Sequence, residues 1–151
     1  MTIDKKGSSL SPVLLFRELM SSIGTELTIA SAAEALRNGK LPAAILPELA
    51  YRLKTDRKDL LKLLRISESG FYRRKQSGML SRDESGRVYR YMRLFTFTAA
   101  MFHGDSEAAL VWLQFPAYAF DGETPLQHAS SEIGAYEVEV LIGRIEHGIP
   151  S

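Results

Sequence analysis

Ser67, Ser69, Tyr72 and Arg73 carry, within a short span, the groups needed to read nucleic-acid bases. Hydroxyls donate and accept, and an arginine fork bonds guanine bidentately, a contact worth ~1–3 kcal/mol of discrimination. Arg74, Lys75, Arg82 and Arg87 come soon after and suit phosphates, where a charge suffices and no sequence is read. Such chemistry requires a helix that presents these side chains together.

The stretch from Asp56 to Gly78 supplies one. Asp56 or Thr55 caps a first helix with an apolar face of Leu60, Leu61, Leu63 and Leu64. Ile66 sits in a tight junction, and Ser67 caps a second helix that turns Phe71 inward. Two short helices, a turn and a basic second helix outline a helix-turn-helix, whose second helix reaches the major groove with its N-terminal part. A helical hairpin with a solvated basic face fits the same pattern.

Catalytic and metal chemistry find little support. His103, His128 and His147 lie far apart without Asp or Glu at ligand spacing, and no phosphate-cradling glycine loop occurs. Glu137, Glu139 and Glu146 read as exposed positions of an amphipathic helix. The expectation is a non-enzymatic protein with no cofactor, no metal and no catalytic residues.

Charge is divided along the chain. Residues 48–95 hold thirteen Lys/Arg against six Asp/Glu, while residues 96–151 hold Arg144 alone against eight Asp/Glu. The basic middle attracts a polyanion by counterion release, and the acidic end is free for a different partner. With 151 residues, 45% of them hydrophobic, the composition is that of a globular protein. No apolar run approaches the ~20 residues that span a bilayer, so no membrane partner is expected. No secretory signal is evident and cysteine is absent, which makes the cytoplasm the expected location.

The remaining elements read as helices throughout. Pro12 to Ile23 forms the first, with Val13, Phe16, Leu19, Met20 and Ile23 on its stripe. A capping box at Ser31-Ala32-Ala33-Glu34 opens the second, which runs to Asn38. Leu41 to Leu53 is the third, with Pro47 either kinking it or marking its true start. Ser81-Arg82-Asp83-Glu84 caps the longest helix, Arg82 to Phe102. Asp105 caps the next, Ser106 to Phe115, with Trp112 as core, and Phe115, Tyr118 and Phe120 pin the loop beyond it. Thr124-Pro125 opens a brief helix, and Ser131 caps the last, Glu132 to His147, with Val138, Leu141, Ile142 and Ile145 buried. Gly134 and Gly143 mark close helix approaches, and Gly148 comes just after the last helix. The fold class is all-α: a helical extension over 1–40, a helix-turn-helix domain over 41–103 and a C-terminal helical domain over 104–151.

Trp112-Leu113, Gly122-x-Thr124-Pro125-Leu126, Gly134, Val138 and Leu-x-Gly-Arg-Ile-Glu-x-Gly from Leu141 to Gly148 resemble the signature of the Xre/MbcA/ParS-like antitoxins, partners of RES-type toxins. Ile66-Ser67, Phe71, Arg73-Arg74, Gly78-x-Leu80-Ser81 and the arginine-bearing long helix extend the resemblance to roughly Leu41–Gly148. Arg65 stands where that family's turn often has glycine, and Gly70 where a β-branched residue is common. The resemblance implies promoter binding as a homodimer or larger hetero-oligomer. It also implies neutralisation of a cognate RES-domain toxin, which consumes NAD⁺ or transfers ADP-ribose from it, by covering the toxin's active-site cleft. The family pattern ends at Gly148, and the Ser151 carboxylate can mimic a phosphate, so Ile149, Pro150 and Ser151 are expected to enter that cleft with Arg144, Glu146, His147 and Gly148 at its rim. The competing reading is a one-component repressor without a toxin.

Overall fold

The computed structural model describes residues 11–148. Among them the chain is all-α, with no strand; Pro42 and Met79 form an isolated antiparallel bridge. Contacts divide the described residues into two compact units, residues 12–89 and residues 90–148 with Ser11.

In the first unit, α1 (Pro12–Ser22) buries Leu15, Phe16, Leu19 and Met20 against α2 (Ile29–Asn38) and α3 (Ile45–Arg52). Val13 and Ile23 lie at the edge of that face, and Leu15 takes the central place. The cap of α2 is Thr28, not Ser31: Thr28 Oγ1 accepts from Ser31 N at 3.0 Å. The Arg17 Nε donates to Leu27 O at 2.9 Å and fixes the chain just before that cap, and starting at Ile29 leaves Ala32 fully buried. The third helix begins at Ile45 rather than Leu41, with Pro47 in its first turn. Backbone bonds from Ala43 N to Gly78 O and from Leu80 N to Leu41 O hold Leu41 and Pro42 against the Gly78–Leu80 segment, and Ala43–Ala44 then turn into the helix.

Asp56 caps α4 (Arg57–Leu64) by accepting from Asp59 N, and Leu60, Leu61 and Leu64 face inward. Ser67 caps α5 (Glu68–Ser77), and Gly78 ends it in the left-handed region at φ 87°. Both halves of the Ser81–Glu84 capping box form at the start of α6 (Arg82–Met101). Ser85 accepts from Leu41 N and ties α6 to the segment before α3.

In the second unit the later part of α6 anchors the C-terminal helices. The buried Tyr91 hydroxyl donates to Leu126 O at 2.9 Å, Arg90 donates to Ser130 O, and Arg93 pairs with Glu139 at 2.9 Å. Thus Glu139 is not a free exposed carboxylate. α7 (Ser106–Leu113) buries Ala109, Leu110 and Leu113, with Trp112 only partly covered. Of the three loop aromatics, Phe120 alone is buried, in a 3-10 turn at Tyr118–Phe120; Phe115 and Tyr118 are solvent-exposed. α8 (Pro125–His128) carries the full capping box between Thr124 and Gln127. α9 (Glu132–Glu146) buries Gly134, Ala135, Val138 and Ile142. Leu141 sits at the edge of the inward arc, and Ile145, on the same face as Val138 and Ile142, is exposed because it lies past the last buried position near the helix end. A Cβ on Gly134 would come 1.8 Å from His128 O, the close approach expected there, whereas one on Gly143 would meet nothing within 4 Å.

Candidate functional site

The surface of α5 is set by how its first turn is built. Ser67 Oγ accepts from Gly70 N at 2.9 Å and lies 3.2 Å from Ser69 Oγ, placing both hydroxyls at the helix N-terminus. Gly70 is buried there; an added Cβ would lie 3.0 Å from Ser67 Oγ and 3.7 Å from Ile66 Cγ2. A β-branched side chain would therefore crowd the cap. Phe71 turns inward and takes the Arg57 guanidinium over its ring at 5.3 Å. That anchor fixes the rotation of α5, so Tyr72, 57% exposed, and Arg73 face outward with Ser67, Ser69 and Lys75. The arrangement can place hydroxyls, a phenol and a guanidinium against base edges from one helical end.

The flanking arginines divide into two kinds. Arg82 is exposed, its chain lying over Gly39 with Nη1 3.3 Å from where a Cβ would stand. Arg74 is half-buried, and its Nε donates to Glu84 Oε1 at 2.7 Å. Burial pushes the Glu84 carboxyl up, but bonds from Ser81 N, Arg74 and the Ser81 hydroxyl outweigh it and hold the group below its ordinary range. Arg87 Nη1 donates to Leu64 O at 2.9 Å and to Arg65 O at 3.4 Å, across the end of α4. Arg74 and Arg87 therefore carry intramolecular bonds at places where the sequence pointed to phosphate contacts.

The turn itself is left-handed at Arg65, φ 57°, where a helix commonly ends on glycine. Helix C-terminal carbonyls have no partner within the helix, and Arg87 supplies one. Nothing local in the sequence signals this bond, since donor and acceptor lie more than twenty residues apart.

At the other end of the chain, Arg144, Glu146, His147 and Gly148 are exposed over the last turn of α9 and just beyond it, with Gly148 at φ 68°. Ile149, Pro150 and Ser151 lie outside the described residues. The histidines are not gathered: His103 lies in the turn just beyond α6 at φ 57°, His147 comes directly after α9, and His128 bridges Glu123 and Glu137 at 2.9 and 2.8 Å. Glu137 thus has a partner that its exposed sequence position did not suggest. Among the described residues no group of three or more His, Asp or Glu is arranged to hold a metal ion. No helix among them is long and apolar enough to cross a membrane.

Two family matches cover these surfaces in order. Residues 32–93 match the antitoxin Xre-like helix-turn-helix domain, and residues 98–148 the antitoxin Xre/MbcA/ParS C-terminal toxin-binding domain. Antitoxin Xre of Photorhabdus laumondii is 31% identical over 134 residues, 88% of this chain and 90% of that protein. Antitoxin Xre of Yersinia enterocolitica is 35% identical over 77 residues, 51% of this chain and 52% of its own length. Antitoxin Xre of Pseudomonas putida is 33% identical over 69 residues, covering 46% and 43%. A helix-turn-helix that turns Tyr72 and Arg73 outward precedes the matched C-terminal domain in this chain, and the chain belongs to the Xre/MbcA/ParS antitoxin family.

Proposed function

We propose that this chain neutralises a cognate RES-domain toxin that consumes NAD⁺, and represses its own operon through α5. The observation that carries the reading is the pairing, on one chain, of an outward basic and hydroxyl-bearing α5 with a matched toxin-binding domain. Ser67, Ser69, Tyr72 and Arg73 contact bases, while Lys75 and Arg82 contact phosphates. Arg74 and Arg87 reach DNA phosphates only by leaving their intramolecular partners.

At the acidic end, Arg144, Glu146, His147 and Gly148 line the toxin cleft, and Ile149, Pro150 and Ser151 enter it. The working division is an extension over 1–40, DNA binding over 41–103 and toxin binding over 104–151, with α6 serving both. Assembly as a homodimer or larger hetero-oligomer with the toxin in the cytoplasm fits a symmetric promoter site.

Co-expression with the toxin, then purification and a promoter-binding titration, tests both activities. The expected result is a stable complex, relief of toxin-dependent NAD⁺ loss, and promoter affinity that falls steeply with salt. Deleting Ile149–Ser151 should spare DNA binding and weaken neutralisation. A chain that ignores the toxin yet binds DNA would be a repressor of another kind.

A further inference from the structure

The last helix is apolar on two opposite sides. Gly134, Ala135, Val138 and Ile142 line its buried side. At about 3.6 residues per turn, Ile133, Tyr136, Val140, Arg144 and His147 fall along one line on the opposite side. Ile133 is 75% exposed, Tyr136 68% and Val140 38%. Large side chains directly opposite the core are not the fringe of that core. An exposed row of large apolar side chains rimmed by charged residues marks an interaction surface.

A second observation points the same way. Gly143 lies beside this line in the interior of α9, and a Cβ built on it meets nothing within 4 Å. Glycine weakens a helix relative to alanine, and packing among the described residues gives no reason for it here. A neighbour whose backbone comes close does give one.

We infer that the outer face of α9, from Ile133 through Tyr136, Val140 and Gly143 to His147, is the strip on which the toxin docks. The inference rests on the toxin-neutralising reading and specifies its surface. The occupant is chosen by charge. Residues 96–151 carry Arg144 against eight Asp/Glu, and Glu132, Glu137 and Glu146 are exposed around the strip. A second copy of this chain would bring a surface of the same sign, and like charges across an interface repel. The fitting partner has an apolar centre within a basic rim, and residues 98–148 match a toxin-binding domain.

The test uses the full chain, the cognate toxin and two variants, Ile133→Ser/Tyr136→Ser and Gly143→Ala. Toxin affinity is measured by titration calorimetry, with melting temperature, promoter binding and sedimentation of the antitoxin alone as companion readouts. The double variant should bind toxin at least tenfold more weakly, with folding, promoter affinity and sedimentation unchanged. Gly143→Ala should melt at the same or a higher temperature and still bind toxin more weakly, an outcome a folding defect cannot give. Wild-type affinity in both variants overturns the docking strip. So does a double variant that keeps toxin affinity while its own oligomer falls apart, because the strip then meets a second copy. If the wild-type chain binds no toxin, the functional reading itself fails, separately from the choice of face.

Discussion

Arg74 and Glu84 are joined by a 2.7 Å ion pair, Nε to Oε1, that ties the last turn of α5 to the first turn of α6. The same carboxylate oxygen accepts from Ser81 N at 2.7 Å, so one side chain both caps α6 and holds α5. Glu84→Ala leaves a backbone amide and a half-buried guanidinium without that partner, a loss of about 1–3 kcal/mol. The depressed carboxyl sets the sign with pH: its contribution is present above the ordinary glutamate range and is lost as pH falls through the folded value. Urea denaturation should show wild type losing more stability than Glu84→Ala as pH falls from neutral to about 3. Equal losses would refute the assignment.

Arg87 and Arg73 should separate in a salt titration. A phosphate contact releases counterions, so removing one flattens the dependence of log affinity on log salt by roughly one unit. Arg87 donates to the carbonyls of Leu64 and Arg65 at the turn between α4 and α5. Arg87→Ala should therefore lower promoter affinity through a misplaced α5 with the salt slope retained, and Arg87→Lys should restore little. Arg73, exposed on α5, should on replacement by alanine cut specific binding more than binding to random DNA. Filter binding across a salt series resolves both, and a slope that flattens in Arg87→Ala would return that residue to the phosphates.

Arg65 occupies a left-handed conformation, φ 57°, at the end of α4. For a residue with a Cβ that conformation costs roughly 1–2 kcal/mol, partly offset by the greater freedom glycine has when unfolded. Arg65→Gly should gain on the order of 1 kcal/mol, or roughly 2–4 °C in melting temperature. The bond from Arg87 to the Arg65 carbonyl uses backbone and remains available. Scanning calorimetry decides, and an unchanged or lower melting temperature would show that the Arg65 side chain contributes to the fold.

The parts of the fold legible in the sequence are those fixed within four residues. Asp56, Ser67, Ser81, Asp105, Thr124 and Ser131 each cap through a backbone amide a few positions on, so residue type and spacing suffice. Ser31 misled because Thr28 offers the same chemistry one turn earlier, and Arg17, far back in the chain, settles the choice. Apolar spacing located α9, yet its buried arc ends short of Ile145, and Ile133 and Tyr136 are as apolar while facing away. Hydropathy records what a residue is, not which of two covers it meets. The site divides likewise. Tyr72 and Arg73 face outward because Phe71 faces in, a rule of helical geometry. The partners of Arg74, Arg87, Glu137 and Glu139 lie on other elements, beyond any local pattern.

Gly134 should tolerate no side chain. Its missing Cβ position lies 1.8 Å from His128 O and 2.9 Å from Ser131 Oγ, the group that caps α9. Neither is a flexible side-chain end free to move: one is backbone and the other is committed to the cap. Gly134→Ala should cost about 3 kcal/mol or more, the upper range for overpacking. Thermal denaturation monitored by circular dichroism checks this, and a loss below roughly 1 kcal/mol would mean that α8 shifts easily.

His128 gives the C-terminal unit a pH dependence near neutrality. Its ring stacks on Phe120 at 4.1 Å, and its two nitrogens meet Glu123 and Glu137 at 2.9 and 2.8 Å, linking the loop before α8 to α9. Burial alone would push the imidazole down, but the two carboxylates outweigh it and raise the group above its ordinary value. A raised pKa means that the folded state binds the proton more tightly than the unfolded one. The stabilisation is thus fully present below the unfolded histidine value, and it is lost as pH rises through the folded value. Melting temperature should fall between about pH 6 and pH 8. Because both carboxylates are about half exposed, added salt should shrink the effect. Glu137→Gln removes one charge and should flatten the profile. A wild-type profile that is flat from pH 6 to 8, or one that rises, would contradict a protonated His128 bridging the two glutamates.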